Sequence, residues 1–181
     1  MTVHCRRATA SDTAAIVALH RAAFSTDIEA DLVASLIVDQ AAPLESWVAE
    51  IDGAVVGHVL LTPGEVPGDR AITVLILCPL AVLPSHQNAG VGTAVTRAAL
   101  DSATDAGARA VSVFGDPDYY ARFGFRSLLP AGPLPPYDVA PQHQRAWQTL
   151  LLSDDAATRD GLEGVRIQWQ EPLMVPALWE A

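Results

Sequence analysis

The stretch LAVLPSHQNAGVGTAVTRAAL (residues 80–100) has the residue types and spacing that could do chemistry. An apolar run passes through Pro84 and a polar patch into Gly90 and Gly92, and a helix follows. Glycines at the head of a helix let the backbone come very close to a ligand. The unpaired N–H groups and partial positive charge of a first helical turn make that ligand an anion. Two known glycine loops can be compared with it. A Walker loop needs Lys and then Ser or Thr after its last glycine. Here Thr93 follows Gly92 directly, and the chain has no lysine. A dinucleotide-binding fingerprint needs a third glycine where Val95 stands, and it follows the first strand of its unit. What remains is Gln87-x-x-Gly90-x-Gly92. It reads either as an anion cradle or as an ordinary turn between strand and helix.

Other reactive side chains are sparse. Cys5 and Cys78 have no metal-ligand spacing and are too few for a disulfide framework. Cys78 has no evident histidine partner and reads as a small buried hydrophobe. His58 on a strand reads as structural.

The elements that position these residues fit a chain of 181 residues, half of them hydrophobic, long enough for one domain with a sizeable core. The net charge is −10, and every basic residue is arginine. That balance argues against non-specific nucleic-acid binding and suits a cationic acceptor such as an amine. The start of the chain lacks the apolar segment of a signal peptide. The longest apolar run, residues 72–83, is too short to span a bilayer. A cytoplasmic protein without membrane or nucleic-acid partners is the expectation, with a homodimer as the default assembly.

Residues 3–9 read as a first strand, and 11–24 and 28–39 as helices. Segments 46–52 and 54–66 flank Asp52-Gly53, a hairpin signal. The run 72–83 reads as a strand buried on both faces, with Pro79 marking a bulge or edge. A helix from Val91 to about Gly107, a strand 108–115 and a short helical turn 116–124 follow. FRSLL (125–129) opens a further strand, and 130–141 is a stiff proline-rich loop that could wall the acceptor pocket with Tyr137. Residues 143–152 read as helix or strand, and 164–175 as a last strand. The fold class is mixed α/β.

In that setting, residues 80–93 resemble motif A of the GNAT superfamily of acyl-CoA-dependent N-acyltransferases, whose pattern is Gln/Arg-x-x-Gly-x-Gly/Ala. Val82, Pro84 and Gln87 have the family's spacing between central strand and loop. Downstream, YYARFGF (119–125) resembles its Tyr-x-x-x-Gly-Phe signature. The resemblance covers residues 3–127 and leaves 128–181 as an extension of a single domain, 1–181. It implies the GNAT fold: a mixed sheet of six or seven strands flanked by helices and splayed between the central pair. It also implies acetyl-CoA as co-substrate and no metal. The pyrophosphate would sit on the main-chain N–H groups of Gln87, Asn88, Ala89, Gly90, Val91, Gly92 and Thr93. The thioester arm would run along Leu80, Ala81 and Val82, with the Val82 amide at the acyl carbonyl. Tyr120 would be general acid to the departing thiolate, with Tyr119 its rival.

The implied reaction is direct transfer of acetyl to a primary amine, from a small molecule or a peptide. Many family members carry a glutamate on the central strand as base, yet residues 72–83 hold no acid. Glu65, Asp116 and His58 are the alternatives. The same departure motivates a second reading, a non-catalytic acyl-CoA-binding or regulatory module.

Overall fold

A computed structural model describes residues 2–38 and 45–179. Six strands form one sheet in chain order: β1 (His4–Arg7), β2 (Glu45–Ile51), β3 (Ala54–Val66), β4 (Asp69–Val82), β5 (Ala110–Phe114) and β6 (Trp147–Leu151). The helices are α1 (Thr13–Ala23), α2 (Ile28–Val38), α3 (Val91–Asp105), α4 (Pro117–Tyr120) and α5 (Ala156–Leu162). β1, β2 and β3 pair antiparallel, as do β5 and β6. β4 and β5 run parallel, registering Val74, Leu75 and Ile76 with Ala110, Val111 and Ser112. A parallel pair needs a crossover, and α3 supplies it. The mixed α/β architecture expected from the sequence is therefore present, with six strands among the described residues.

The chain folds as two compact units. One comprises the chain up to Leu61 together with Cys78–Ala103; the other comprises Thr62–Leu77 and the chain from Thr104 on. In the first, Asp52 and Gly53 both take positive φ (51° and 80°), the left-handed pair that closes a tight hairpin between β2 and β3. The core takes Ile16 and Leu19 from α1, Ala30, Val33 and Leu36 from α2, and Val48, Val56 and Val59 from the hairpin. The Arg6 guanidinium ties β1 to the start of the helices and to β2. It donates to both Asp12 oxygens (2.8 and 2.9 Å) and to Glu50 Oε1 (3.0 Å). Arg6 holds the Asp12 carboxyl well below the usual carboxylate range, helped by the Thr9 N–H.

In the second unit, β5 is buried on both faces, and Trp147, Trp169 and Trp179 are nearly sealed at 1, 6 and 5 % exposure. Trp147 Nε1 donates to Pro133 O (2.7 Å) and Trp179 Nε1 to Leu173 O (2.9 Å). These bonds pin the proline-rich loop and the last turns to the core. Gly64 faces Trp169 so closely that a Cβ would come within 2.5 Å of its ring.

The last third departs from the sequence expectation. FRSLL makes one isolated bridge, Arg126 with Thr149, before Pro130 ends it. The expected strand 164–175 makes two bridges with different partners: Arg166 with Leu134, and Gln168 with Glu65. Each is a single isolated bridge, with no further pairs to extend it into a ladder. Residues 141–146 are a 3-10 turn and β6 starts at Trp147, so the ambiguous segment divides between the two. α5 was not expected. Its signals are Asp155, whose carboxylate accepts from Thr158 N–H at 2.8 Å as an N-cap, and Gly164 beyond its end.

Candidate active site

Leu80, Ala81 and Val82 form the end of β4. The chain turns through a 3-10 segment, Pro84–His86, and Gln87, Asn88, Ala89 and Gly90 follow as an exposed stretch. Val91, Gly92 and Thr93 are the first turn of α3. Gly90 O accepts the first intrahelical bond, from Ala94 N–H at 2.9 Å, so the N–H groups of residues 91–93 precede that ladder. Asn88 (φ 60°) and Gly90 (φ 83°) are both left-handed. Glycine meets no steric cost there, and asparagine is among the few other residues that tolerate the region. A Cβ on Gly90 would meet nothing within 4 Å. The glycine therefore serves the backbone turn and leaves open space beside the helix head.

The Gln87 side chain turns back toward β4. Its Nε2 donates to Val82 O at 3.2 Å. The side chain thus braces the glycine turn against the last residue of β4. Leu83 N–H donates to Val56 O (2.9 Å), fixing the same corner to β3. A further support was not visible in the sequence. Gly57 on β3 lies against the first residue of α3, where a Cβ would come 2.8 Å from Val91 Cγ1. Val91 is 1 % exposed and plugs that space.

Tyr120 belongs to the other unit. Asp116 caps α4, its Oδ1 accepting from Asp118 N–H at 2.9 Å, and Gly124 (φ 91°) ends the following 3-10 turn. Tyr120 is buried, with Tyr119 edge-on at 5.0 Å and Phe125 edge-on at 5.6 Å between ring centroids. The Arg122 guanidinium lies 4.5 Å over the Tyr119 ring. Of the two phenols, Tyr119 therefore carries the cation, while Tyr120 is clasped between other aromatic rings.

The expected bases do not fare alike. His58 is fully buried. Its Nδ1 lies 2.9 Å from His20 Nε2 and its Nε2 lies 3.0 Å from Ser46 Oγ. Both ring nitrogens are engaged, as the structural reading of this residue requires. Burial lowers His20 to about 4 and His58 well below the ordinary histidine value, so both are neutral at pH 7. Asp116 is occupied as a cap, and Glu65 is exposed on β3. Burial pushes the Cys78 thiol up to about 12, with a further push from the Glu29 carboxylate of α2. Such a thiol stays protonated and is no nucleophile. Among the described residues no group of three His, Cys, Asp or Glu side chains could hold a metal ion. No described helix is long and apolar enough to cross a membrane.

Known proteins resemble this chain in sequence and in fold. Residues 13–125 match the model of the Acetyltransferase (GNAT) family. The chain is 35% identical over 154 residues to an Escherichia coli (strain K12) protein named "Uncharacterized N-acetyltransferase YjhQ", covering 83% of this chain and 85% of that one. The fold matches the E. coli GNAT family N-acetyltransferase YhbS, solved in complex with CoA, at a TM-score of 0.82 and 30% identity, over 94% of this chain and 91% of that one. It also matches a GNAT family acetyltransferase from Brucella melitensis in complex with acetyl-CoA, at a TM-score of 0.74 and 27% identity, over 94% and 97% of the two chains.

Proposed function

The chain belongs to the Acetyltransferase (GNAT) family, and on that premise we propose that it transfers an acetyl group from acetyl-CoA to a primary amine by direct attack. The observation that carries this reading is the head of α3. There an exposed turn with left-handed Asn88 and Gly90 leads into N–H groups ahead of the helical ladder. Main-chain donors and a helix dipole hold a pyrophosphate without a basic side chain, which suits a loop that has none. Residues 87–93 hold the diphosphate, and the end of β4, residues 80–82, takes the thioester arm. The Val82 amide is the oxyanion donor.

In the reaction the amine nitrogen bonds to the carbonyl carbon and the C–S bond breaks. Tyr120 Oη passes its proton to the sulfur, and the proton shed by the amine restores the phenol through water. The acidic balance of the chain, −10 overall, favours a cationic acceptor by attraction. Support for the cofactor comes from the two solved relatives, which hold CoA and acetyl-CoA.

A non-catalytic CoA-binding module is the second reading, and it draws on the absence of an acid from residues 72–83. One experiment separates the two. CoA binding is measured by calorimetry, and thiol release from acetyl-CoA is followed over a panel of polyamines, aminoglycosides and peptide N-termini. Binding with amine-dependent release supports the enzyme. Binding with no release for any amine supports the module. No binding removes both.

A further inference from the structure

Gly115, directly after β5, has a φ outside the left-handed region, so its lack of a side chain does not serve the backbone. It serves a neighbour. A Cβ built there would stand 2.6 Å from Cε2 of Tyr120, 3.3 Å from Cδ2 and 3.6 Å from Cζ, the carbon that bears the hydroxyl. The ring cannot simply swing aside. Phe125 packs edge-on against it at 5.6 Å, Tyr119 at 5.0 Å, and Phe123 lies at 6.5 Å. Nor can the backbone at 115 readily retreat. Its N–H donates to Ala146 O at 3.0 Å, and its carbonyl accepts from Gln148 Nε2 at 3.3 Å. Gln148 is itself 2 % exposed on β6.

We propose that Gly115 is a positioning residue for Tyr120: the missing side chain is the slot in which the phenol ring is seated, so that residue 115 sets where the hydroxyl lies. The inference rests on the reading of Tyr120 as the acid. A methyl at 115 pushes the Cε2–Cζ edge of the ring outward by somewhat under an ångström to regain ordinary contact, and the hydroxyl moves with it. Displacements of about 1 Å at a reacting group cost up to roughly 10²-fold in rate. The cofactor loop at 87–93 is not part of the slot, so cofactor affinity is spared.

The test is a double-mutant cycle of G115A and Y120F on the full chain. It reads thiol release from acetyl-CoA with spermidine and with water as acceptor, alongside crystal structures of wild type and G115A. G115A is expected to lower kcat by about tenfold or more, leave KM for acetyl-CoA within about twofold, and shift the Tyr120 ring. In the Y120F background the same change is expected to cost little further, because the group being aimed is gone. Equal losses in both backgrounds, or an unmoved ring in G115A, overturns the proposal. An unaltered rate in Y120F overturns the acid role of Tyr120, and the slot then loses its purpose whatever the ring does. Should G115A fail to fold, G115A/Y120L supplies the answer. Recovery of Tm on shrinking the ring supports the slot, and no recovery refutes it.

Discussion

At the head of α3 the backbone stands in the open. Gly90 takes a left-handed φ, and a Cβ added there would meet nothing within 4 Å. At the end of β5 the opposite holds. Gly115 has an ordinary φ, and an added methyl would collide with Tyr120. One glycine shapes the chain so that a visitor can approach it. The other shapes a cavity for a resident. Both are bare positions in a proposed catalytic apparatus, yet a substitution at each is expected to fail for a different reason and in a different observable: affinity for the first, turnover for the second.

Acidification acts on one side of this contrast. The buried His20–His58 pair lies in the unit that carries α3, and His58 adjoins Gly57, the seat of Val91. Burial depresses both histidines, so each keeps its full contribution to stability above the unfolded value near 6.5 and loses it as pH falls below that value. The loss approaches about 1.4 kcal/mol per pH unit for each histidine. Hydrogen exchange between pH 7 and 5 should show α1 and β3 opening before β5 and β6. Uniform protection across that range would contradict a neutral buried pair.

The next effect in size is Y120F, expected to lower kcat by roughly 10²-fold with KM for acetyl-CoA unchanged, as steady-state kinetics would read. Smaller is G90V. A branched side chain in a left-handed position costs about 1–2 kcal/mol, so CoA binding by calorimetry should weaken by about tenfold while kcat at saturation holds. The smallest is Q87A. It removes an exposed bond from Gln87 to Val82 worth about 0.5–1.5 kcal/mol, and a few-fold rise in Kd for CoA is expected. If G90V lowered kcat and spared Kd, the division of labour between the two glycines would be reversed.

The open side of the contrast was legible in the sequence, and the packed side was not. Gly90 and the Asp52-Gly53 pair announce themselves because left-handed backbone selects residue types locally, and Asn88 joins them once its φ is seen. Tyr120 was singled out as a candidate because its spacing to Gly124 and Phe125 resembles the family signature. By contrast, Gly57 and Gly115 mean nothing until Val91 and Tyr120 are seen against them. His58 could be read as structural, but its partner His20 lies on another element. The bond from Gln87 back to Val82 was equally hidden, since nothing in the residue types of the loop says where the side chain turns. In the last third, residues 164–175 look like one strand, and only the isolation of the two bridges, Arg166 to Leu134 and Gln168 to Glu65, shows otherwise.

The placement of the indoles has a practical consequence. Trp147, Trp169 and Trp179 are sealed within the unit that holds Tyr120, whereas the other unit has only the half-buried Trp47, whose Nε1 donates to Glu45. Intrinsic emission is thus a lopsided reporter. Its red shift on denaturation follows the Tyr120 half, while far-ultraviolet dichroism also registers α1, α2 and α3. Melting curves recorded by the two signals will superimpose only if both halves let go together, so the optical comparison alone measures how tightly they are coupled.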